Sequence, residues 1–551
     1  MDRINQVGTD LPAKPVAASE AAAATAATAS PSRYAASMAN VVAAGILLSR
    51  IAGLIRESIF AHYFGNSDAA DAFKAAFRIP NILQNLFGEG VLSASFIPVY
   101  AKTLGEGDEE TANRLAWAVA AILSLVVSVL TLLGVLATPY LIDAIAPGFH
   151  GAKRELTITL VRILFPGAGL LVMSAWCLGV LNSHHRFFAS YTAPVAWNVA
   201  IIAALMIWGG HRGQERLAII VAWGAVVGSA LQIAVQLPQT LALAGGARLG
   251  FARIRNLLRA VFNNFVPVVT GRGVVQVSGY VDNLLASLLP TGAVAALNYA
   301  QILYMLPVSL FGMAVAAAEL PGMSRATGAS SEIAAMLRTR LNAGLRQISF
   351  LVVPSAAAFL FLGDVIAGAI FQSGHFSHAD AIYVWAVLAG SAVGLLAVTM
   401  GRLYSSAFYA LWDTRTPLKF AIIRVTLTVA MGYFCAIPLP AMIGIASRWG
   451  VAGLTASAGV AGWIEFAMLR ASLNRRIGAT GIERAFVIRL WAMAIAGAAA
   501  AYVIKLHTGW AGPRLSALAV LPVYGVIYFG LAYWMDLPEL RRFTGRFFAR
   551  K

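Results

Sequence analysis

Apolar runs of about 20 residues recur through this 551-residue chain, and each is long enough to cross roughly 30 Å of hydrocarbon as a helix. No other feature constrains the fold as strongly. A backbone in lipid must satisfy its own hydrogen bonds, and a string of such runs does so as a bundle of helices. Only 12% of the residues are charged, against about a quarter in soluble proteins. The pattern predicts an all-α polytopic membrane protein. Runs and their breakers give about fourteen helices, over approximately 38–62, 77–101, 115–139, 157–181, 190–209, 217–237, 262–288, 296–320, 345–366, 381–403, 418–437, 450–469, 486–504 and 515–535.

With the N-terminus placed in the cytoplasm, and with Arg346, Arg402, Lys419 and Arg489 at span ends counted with the adjoining loops, the cytoplasmic termini and loops hold 27 Lys and Arg, the opposite loops hold 8, and six lie within spans. This is the positive-inside bias. It explains the net charge of +17 without a nucleic-acid partner and puts both termini in the cytoplasm. Residues 1–37, with the low-complexity stretch "ASEAAAATAATASPS", lack the apolar core of a signal peptide and read as a disordered tail. Residues 241–261 suit an amphipathic linker on the cytoplasmic surface. Cys177 and Cys435 lie in apolar runs and form no disulfide or zinc spacing.

The segment "AGLIRESIFAHYFGNSDAADAF" (52–73) overlays "SGYVDNLLASLLPTGAVAALNY" (278–299) without a gap, and "LFG" recurs at 86–88 and 310–312. A repeat starting at helices one and seven makes two six-helix lobes of like orientation around a central cavity. The lobes would be 38–240 and 262–470, with two further helices and a basic tail in 471–551.

Six arginines sit where lipid would make them costly: Arg50, Arg56, Arg78, Arg162, Arg272 and Arg424. Each needs a partner or a wet cavity. Arg50 and Glu57 are seven residues apart, about 20° from eclipsed on a helix. Arg78 and Glu89 are similarly aligned, with Pro80 between them to kink the helix, and Asp71 lies seven residues before Arg78. Arg272, Gln276 and Asn283 form a stripe with Asp282 beside it. One reading pairs these charges to fix helix packing. The other lines a cavity with surplus positive charge, which suits phosphate or pyrophosphate rather than a drug cation. An amphiphile bearing a phosphate fits, its headgroup in the cavity and its tail in lipid. No Walker lysine motif, HExxH zinc motif or persuasive GxSxG triad is present, so catalysis has little support. The histidine pairs of "NSHHRF" (182–187) and "GHFSHAD" (374–380) read as solvated loops.

"SRIAGLIRESIFAHYFG" (49–65), "DAADAFKAAFRIPNILQNLFGEGVLSASFIPVYAK" (68–102), "APGF" (146–149), "LPVSLFGMAVAAAELPGMSR" (306–325) and "SSAFYALWDTRTPLKFA" (405–421) resemble the MurJ/MviN family of bacterial lipid II flippases. The resemblance implies the fold of the multidrug/oligosaccharidyl-lipid/polysaccharide exporter superfamily. It also implies alternating access that carries undecaprenyl-diphosphate-linked peptidoglycan precursor from the inner to the outer leaflet of the bacterial cytoplasmic membrane. No cofactor or nucleotide is implied; membrane potential or a sodium ion would drive transport. Arg50, Arg56 and Arg78 would engage the diphosphate or headgroup, with Arg272 replacing a missing cation. Glu57, Asp71 and Glu89 would act in gating or ion pairs, and Asp282 with Asp413 would be the oxygen ligands available for sodium. Relatives carry further arginines where this chain has Gln84 and Ile302. Expected partners are lipid II or a related polyprenyl-diphosphate lipid, membrane lipids, and cell-wall synthesis proteins. Those two departures leave open a flippase of another polyprenyl-diphosphate oligosaccharide. A non-transporting scaffold of cell-wall synthesis is a further alternative.

Overall fold

The computed structural model describes residues 33–246, 254–324, 330–508 and 512–541, and those residues form helices without a strand. The first half comprises α1 (Arg33–Phe64), α2 (Asp68–Arg78), α3 (Asn81–Phe87), α4 (Glu89–Ser95), α5 (Ile97–Gly105), α6 (Glu109–Ile145), α7 (Gly151–Ser183), α8 (Phe187–Trp208) and α9 (Gln214–Ala244). The second comprises α10 (Arg255–Ser287), α11 (Ala293–Pro307), a π-helical turn (Val308–Met313), α12 (Ala314–Ser324), α13 (Ser330–Phe361), α14 (Gly363–Phe371), α15 (His378–Ala410), α16 (Arg415–Ala436), α17 (Pro438–Met442) and α18 (Gly450–Ile477). A last pair, α19 (Arg484–Thr508) and α20 (Pro513–Trp534), follows.

Twelve segments among the described residues are long and apolar enough to cross a membrane, so this is a multi-pass membrane protein. The expected count of fourteen is not reached by that measure. The remaining two predicted spans coincide with α1 and α10, part of whose side chains lie outside the described residues. Residues 1–32 of the predicted tail also lie outside them, and α1 already begins at Arg33. Within the predicted linker, 241–261, α9 runs to Ala244 and α10 starts at Arg255, and 247–253 are outside the described residues.

Helix α6 shows how the bundle meets lipid. Leu125, Val129, Leu132, Leu133 and Leu136 are exposed, whereas Leu123, Val127, Gly134 and Thr138 on the opposite side are buried. Both faces are apolar, as expected where the solvent outside is hydrocarbon. α7 packs on α6 and α9, and α8 packs on α1 and α9. In the second half, α15 packs on α13 and α18, and α16 packs on α18. The extra pair docks on α13 and α14. Pro354 cannot donate to the carbonyl of Phe350 four residues back, and the Tyr528 hydroxyl donates to that carbonyl instead, at 2.7 Å. Tyr524 donates to the carbonyl of Pro354 itself, at 2.6 Å.

The two segments overlaid in the sequence meet in the structure. Asn66 and Gly292 occupy equivalent places in the overlay, and they meet where the halves touch. A Cβ on Gly292, whose φ is +88°, would lie 2.7 Å from the carbonyl oxygen of Asn66. Equivalent residues meeting each other is what a two-fold axis between the halves produces. Both copies of "LFG" fall on helix irregularities, the α3–α4 break at Gly88 and the π-helical turn.

Candidate functional site

Between the halves lies a cavity of about 720 Å³. Among the described residues its charged lining is Arg50, Arg56, Glu57, Lys74, Arg78 and Glu89, four bases against two acids. Local structure explains why one short stretch supplies so much of it. Lys74, Arg78, Asn81, Asn85 and Glu89 recur at intervals of three and four residues, so they share one side of the α2–α4 run. Pro80, at the start of α3, and Gly88, between α3 and α4, break that run into short helices. The Pro80 break is the one expected from sequence.

The carboxylate of Glu57 is buried and takes a donor on each oxygen. Nη2 of Arg56 donates to Oε1 at 2.6 Å, and the ammonium of Lys74 donates to Oε2. Arg56 also donates through Nη1 to Oδ1 of Asn198 at 3.0 Å, and its guanidinium lies 4.7 Å from the centre of the Trp197 ring. The Asn198 amide is held by the Pro194 carbonyl at 3.0 Å, which fixes the oxygen toward Arg56. Arg50 and Arg78 make no ion pair among the described residues, so the expected Arg50–Glu57 and Arg78–Glu89 pairs are not formed. Glu57 is instead claimed by its chain neighbour and by the next helix. The Tyr280 hydroxyl donates to the carbonyl of Arg78 at 3.2 Å, and its ring lies 5.9 Å from the guanidinium.

Toward the start of α2 a set of contacts joins the two halves and acts as a seal between them. Asp71, 1% exposed, accepts from Lys153 at 2.6 Å and from the backbone amides of Gly292 and Ala295, both at 2.8 Å. A carboxylate on one half thus caps the N-terminus of α11 on the other, where unpaired amides and the helix dipole favour negative charge. Lys153 also bridges to Asp68 at 2.8 Å, and Thr291 donates to Asp68 at 2.9 Å. The Tyr299 hydroxyl donates to the Gly65 carbonyl at 3.1 Å, the His375 amide to the His62 carbonyl at 2.8 Å, and Asn66 to Asp380 at 3.2 Å. Sequence reasoning singled out Asp71 but missed Lys153 and Lys74, having read both as loop residues.

Glu89 lines the cavity at the start of α4. Gln84 and Ile302 line the same cavity. Arg272 and Gln276 fall in the stretch of α10 whose side chains are outside the described residues. Arg162 is exposed, whereas Arg424 pairs with Glu465 at 3.4 Å within the second half. Asp282 is on α10; its Oδ1 is buried without a hydrogen-bond partner, as are both polar side-chain atoms of Asn283 beside it.

No hydrogen bond or ion pair among the described residues joins Asp413 to Asp282 or to a common partner. Asp413 accepts from the amides of Arg415 and Thr416, both at 3.0 Å, from the Thr416 hydroxyl at 2.7 Å, and from Arg476 at 2.6 Å. It is a cap for α16, and no group of three or more potential metal-ligating side chains occurs among the described residues. The Thr416 hydroxyl and amide, with Arg476, hold the Asp413 carboxyl below its ordinary 3.8, at about 2. A lowered folded pKa stabilises above the unfolded value, and that stabilisation is lost as pH falls through the folded one. Asp413→Asn is therefore expected to lower Tm at pH 7 by under about 2 °C, since exposed pairs contribute little. The difference from the parent should vanish as pH falls from 4 to 2, as thermal melts would record.

The profile of the family described as "Lipid II flippase MurJ" matches residues 60–519. The chain belongs to that family. A lipid II flippase MurJ of Burkholderia cenocepacia is 31% identical over 510 residues, covering 89% of this chain and 95% of the relative. A probable lipid II flippase MurJ of Rhizobium meliloti is 33% identical over 499 residues, covering 89% and 90%. Among solved structures, a lipid II flippase MurJ in an inward closed conformation superposes with a TM-score of 0.70 at 22% identity, over 90% of this chain and 99% of that one. An inward-facing multidrug MATE transporter of the MOP superfamily gives 0.60 at 16% identity, over 77% and 95%. These two establish the fold. The family is one of transporters, and the chain is a transporter rather than an enzyme.

Proposed function

We propose that this chain flips lipid II across the bacterial cytoplasmic membrane by alternating access, with the diphosphate and headgroup held in the cavity between the halves. The observation that carries this reading is the lining itself. Four bases face two acids, and Arg50 and Arg78 have no ion-pair partner among the described residues. A guanidinium in a wet, low-dielectric cleft is suited to a phosphate oxyanion, which it can grip with two parallel N–H donors. The prenyl tail would stay in lipid while the headgroup crosses.

The positive-inside bias supports an orientation with both termini in the cytoplasm and the Asp71 seal facing outward. Each surplus positive charge that moves through the field contributes about 2.3 kcal/mol per 100 mV, so membrane potential is a sufficient drive. A sodium ion is the other candidate. Gln84 and Ile302, neutral on the cavity wall, favour a second reading in which the headgroup is another polyprenyl-diphosphate oligosaccharide.

The test is rescue of a bacterium depleted of its own lipid II flippase, with expression matched between variants. The parent is expected to restore growth, and Arg50→Ala and Arg56→Ala to fail. A membrane-inserted parent that fails to rescue would overturn lipid II as the substrate. Rescue by both alanine variants would overturn the role of the cavity.

A further inference from the structure

Lys74 occupies a place that neither the arginines nor the seal explains. Its side chain is 9% exposed, on the cavity wall, with its ammonium on Oε2 of Glu57. The cation lies 4.2 Å from the centre of the Phe60 ring on its own half and 5.2 Å from that of Tyr299 on the other. Aromatic faces on two sides suit an ammonium, and the Glu57 carboxylate supplies the countercharge.

Glu57 follows Arg56 directly, and the two are hydrogen-bonded. Alone they would make a neutral buried pair. For Arg56 to turn its fork to an incoming phosphate, it would have to leave a buried carboxylate with no partner, and breaking such a pair from one side is strongly unfavourable. Lys74 removes that obstacle. It occupies the second oxygen of the same carboxylate, so Glu57 keeps a charged donor when Arg56 swings away, and the trio retains one net positive charge in the cavity.

We infer that Lys74 is a positioning residue that holds Glu57 so that the Arg56 guanidinium is free to bind the diphosphate. This inference rests on the reading of the cavity as a diphosphate site. On this reading Lys74 acts through Arg56 and adds no phosphate contact of its own.

A double-mutant cycle tests this on the full chain in nanodiscs, titrated with undecaprenyl diphosphate. Lys74→Met in the parent background is expected to weaken binding about tenfold or more, within the range that coupled neighbours show. In a Glu57→Gln background the same change should cost less than about threefold, because no buried carboxylate remains to capture Arg56. Lys74→Arg, which keeps the charge, should bind within about threefold of the parent.

Equal losses from Lys74→Met in both backgrounds would overturn the inference and make Lys74 a direct phosphate contact. No loss in either background would overturn it too. If Lys74→Met does not fold, Lys74→Arg and the double variant still decide the matter, since a double variant that folds but binds as weakly as Arg56→Ala overturns the inference. Failure of the parent to bind the probe would instead overturn the diphosphate reading beneath it, which separates the two failures.

Discussion

Asp71→Ala is expected to abolish rescue of a flippase-depleted strain while the protein still inserts in the membrane. The carboxylate links the two halves through three donors, Lys153 at 2.6 Å and the Gly292 and Ala295 amides at 2.8 Å. It does so at 1% exposure. Removing one side of a buried, hydrogen-bonded charge pair costs about 3–5 kcal/mol. On the alternating-access reading proposed above, that cost falls on the state in which Asp71 meets the N-terminus of α11. A shift of that size moves a two-state equilibrium more than about 100-fold, so the carrier would stay parted at that end and stop cycling. Asp71→Asn should fall close to alanine, since an amide leaves Lys153 only the exposed Asp68 as countercharge. Lys153→Met should be milder, because both backbone amides still reach Asp71. The direct readout is an Ala295→Cys reporter, with Cys177 and Cys435 replaced by serine. Ala295 is fully buried in the sealed state, so an impermeant maleimide should label the reporter faster when Asp71 is lost. Full rescue together with unchanged protection would sink the idea.

What the sequence discloses about this site, and what it conceals, follows from how charges stand against an apolar background. Arg50, Arg56, Glu57 and Arg78 stood out because each interrupts a run that would otherwise cross the bilayer, and all four line the cavity. The same contrast hid Lys74. Asp68, Asp71 and Lys74 lower the local hydropathy enough that residues 68–76 read as a loop before the second span. In the structure the helix begins at Asp68, and Lys74 is buried on it. Lys153 was hidden likewise, just inside the start of α7. Helical geometry could say that Arg50 and Glu57 point alike, but not which neighbour α2 would bring to Glu57, because contacts between helices are set by packing and not by phase. Asp413 illustrates the reverse: an acid with the right chemistry for a cation also caps α16, a contact that single-residue chemistry cannot reveal. The overlay of 52–73 on 278–299 places Asn66 opposite Gly292, and in the structure those two residues meet.

Gly148→Ala, a single added methyl, is expected to part the same seal by a different route. Gly148 lies in the "APGF" turn between α6 and α7, and its amide donates to the Ser287 hydroxyl at 3.4 Å across the interface. A Cβ there would sit 2.0 Å from the carbonyl oxygen of Ser287. The obstacle is backbone at the end of α10, which cannot rotate away as a side chain would, so the two halves must separate locally. Forcing extra volume into a packed contact costs about 1–3 kcal/mol, which is about 5–150-fold in the balance between sealed and parted states. Gly148 does not have a positive φ, so alanine brings no backbone strain, and the whole penalty comes from the approach of the second half. Gly151, three residues on, supplies the control. Its φ is +56°, yet a Cβ would meet nothing within 4 Å. Gly151→Ala should therefore cost stability, about 1 kcal/mol, without opening the seal. The Ala295→Cys reporter should label faster in Gly148→Ala and at the parent rate in Gly151→Ala, with rescue falling only in the first. Equal labelling in both would mean that the close approach of the halves at this turn does not control the seal, and that Asp71 and its neighbouring contacts hold it without Gly148.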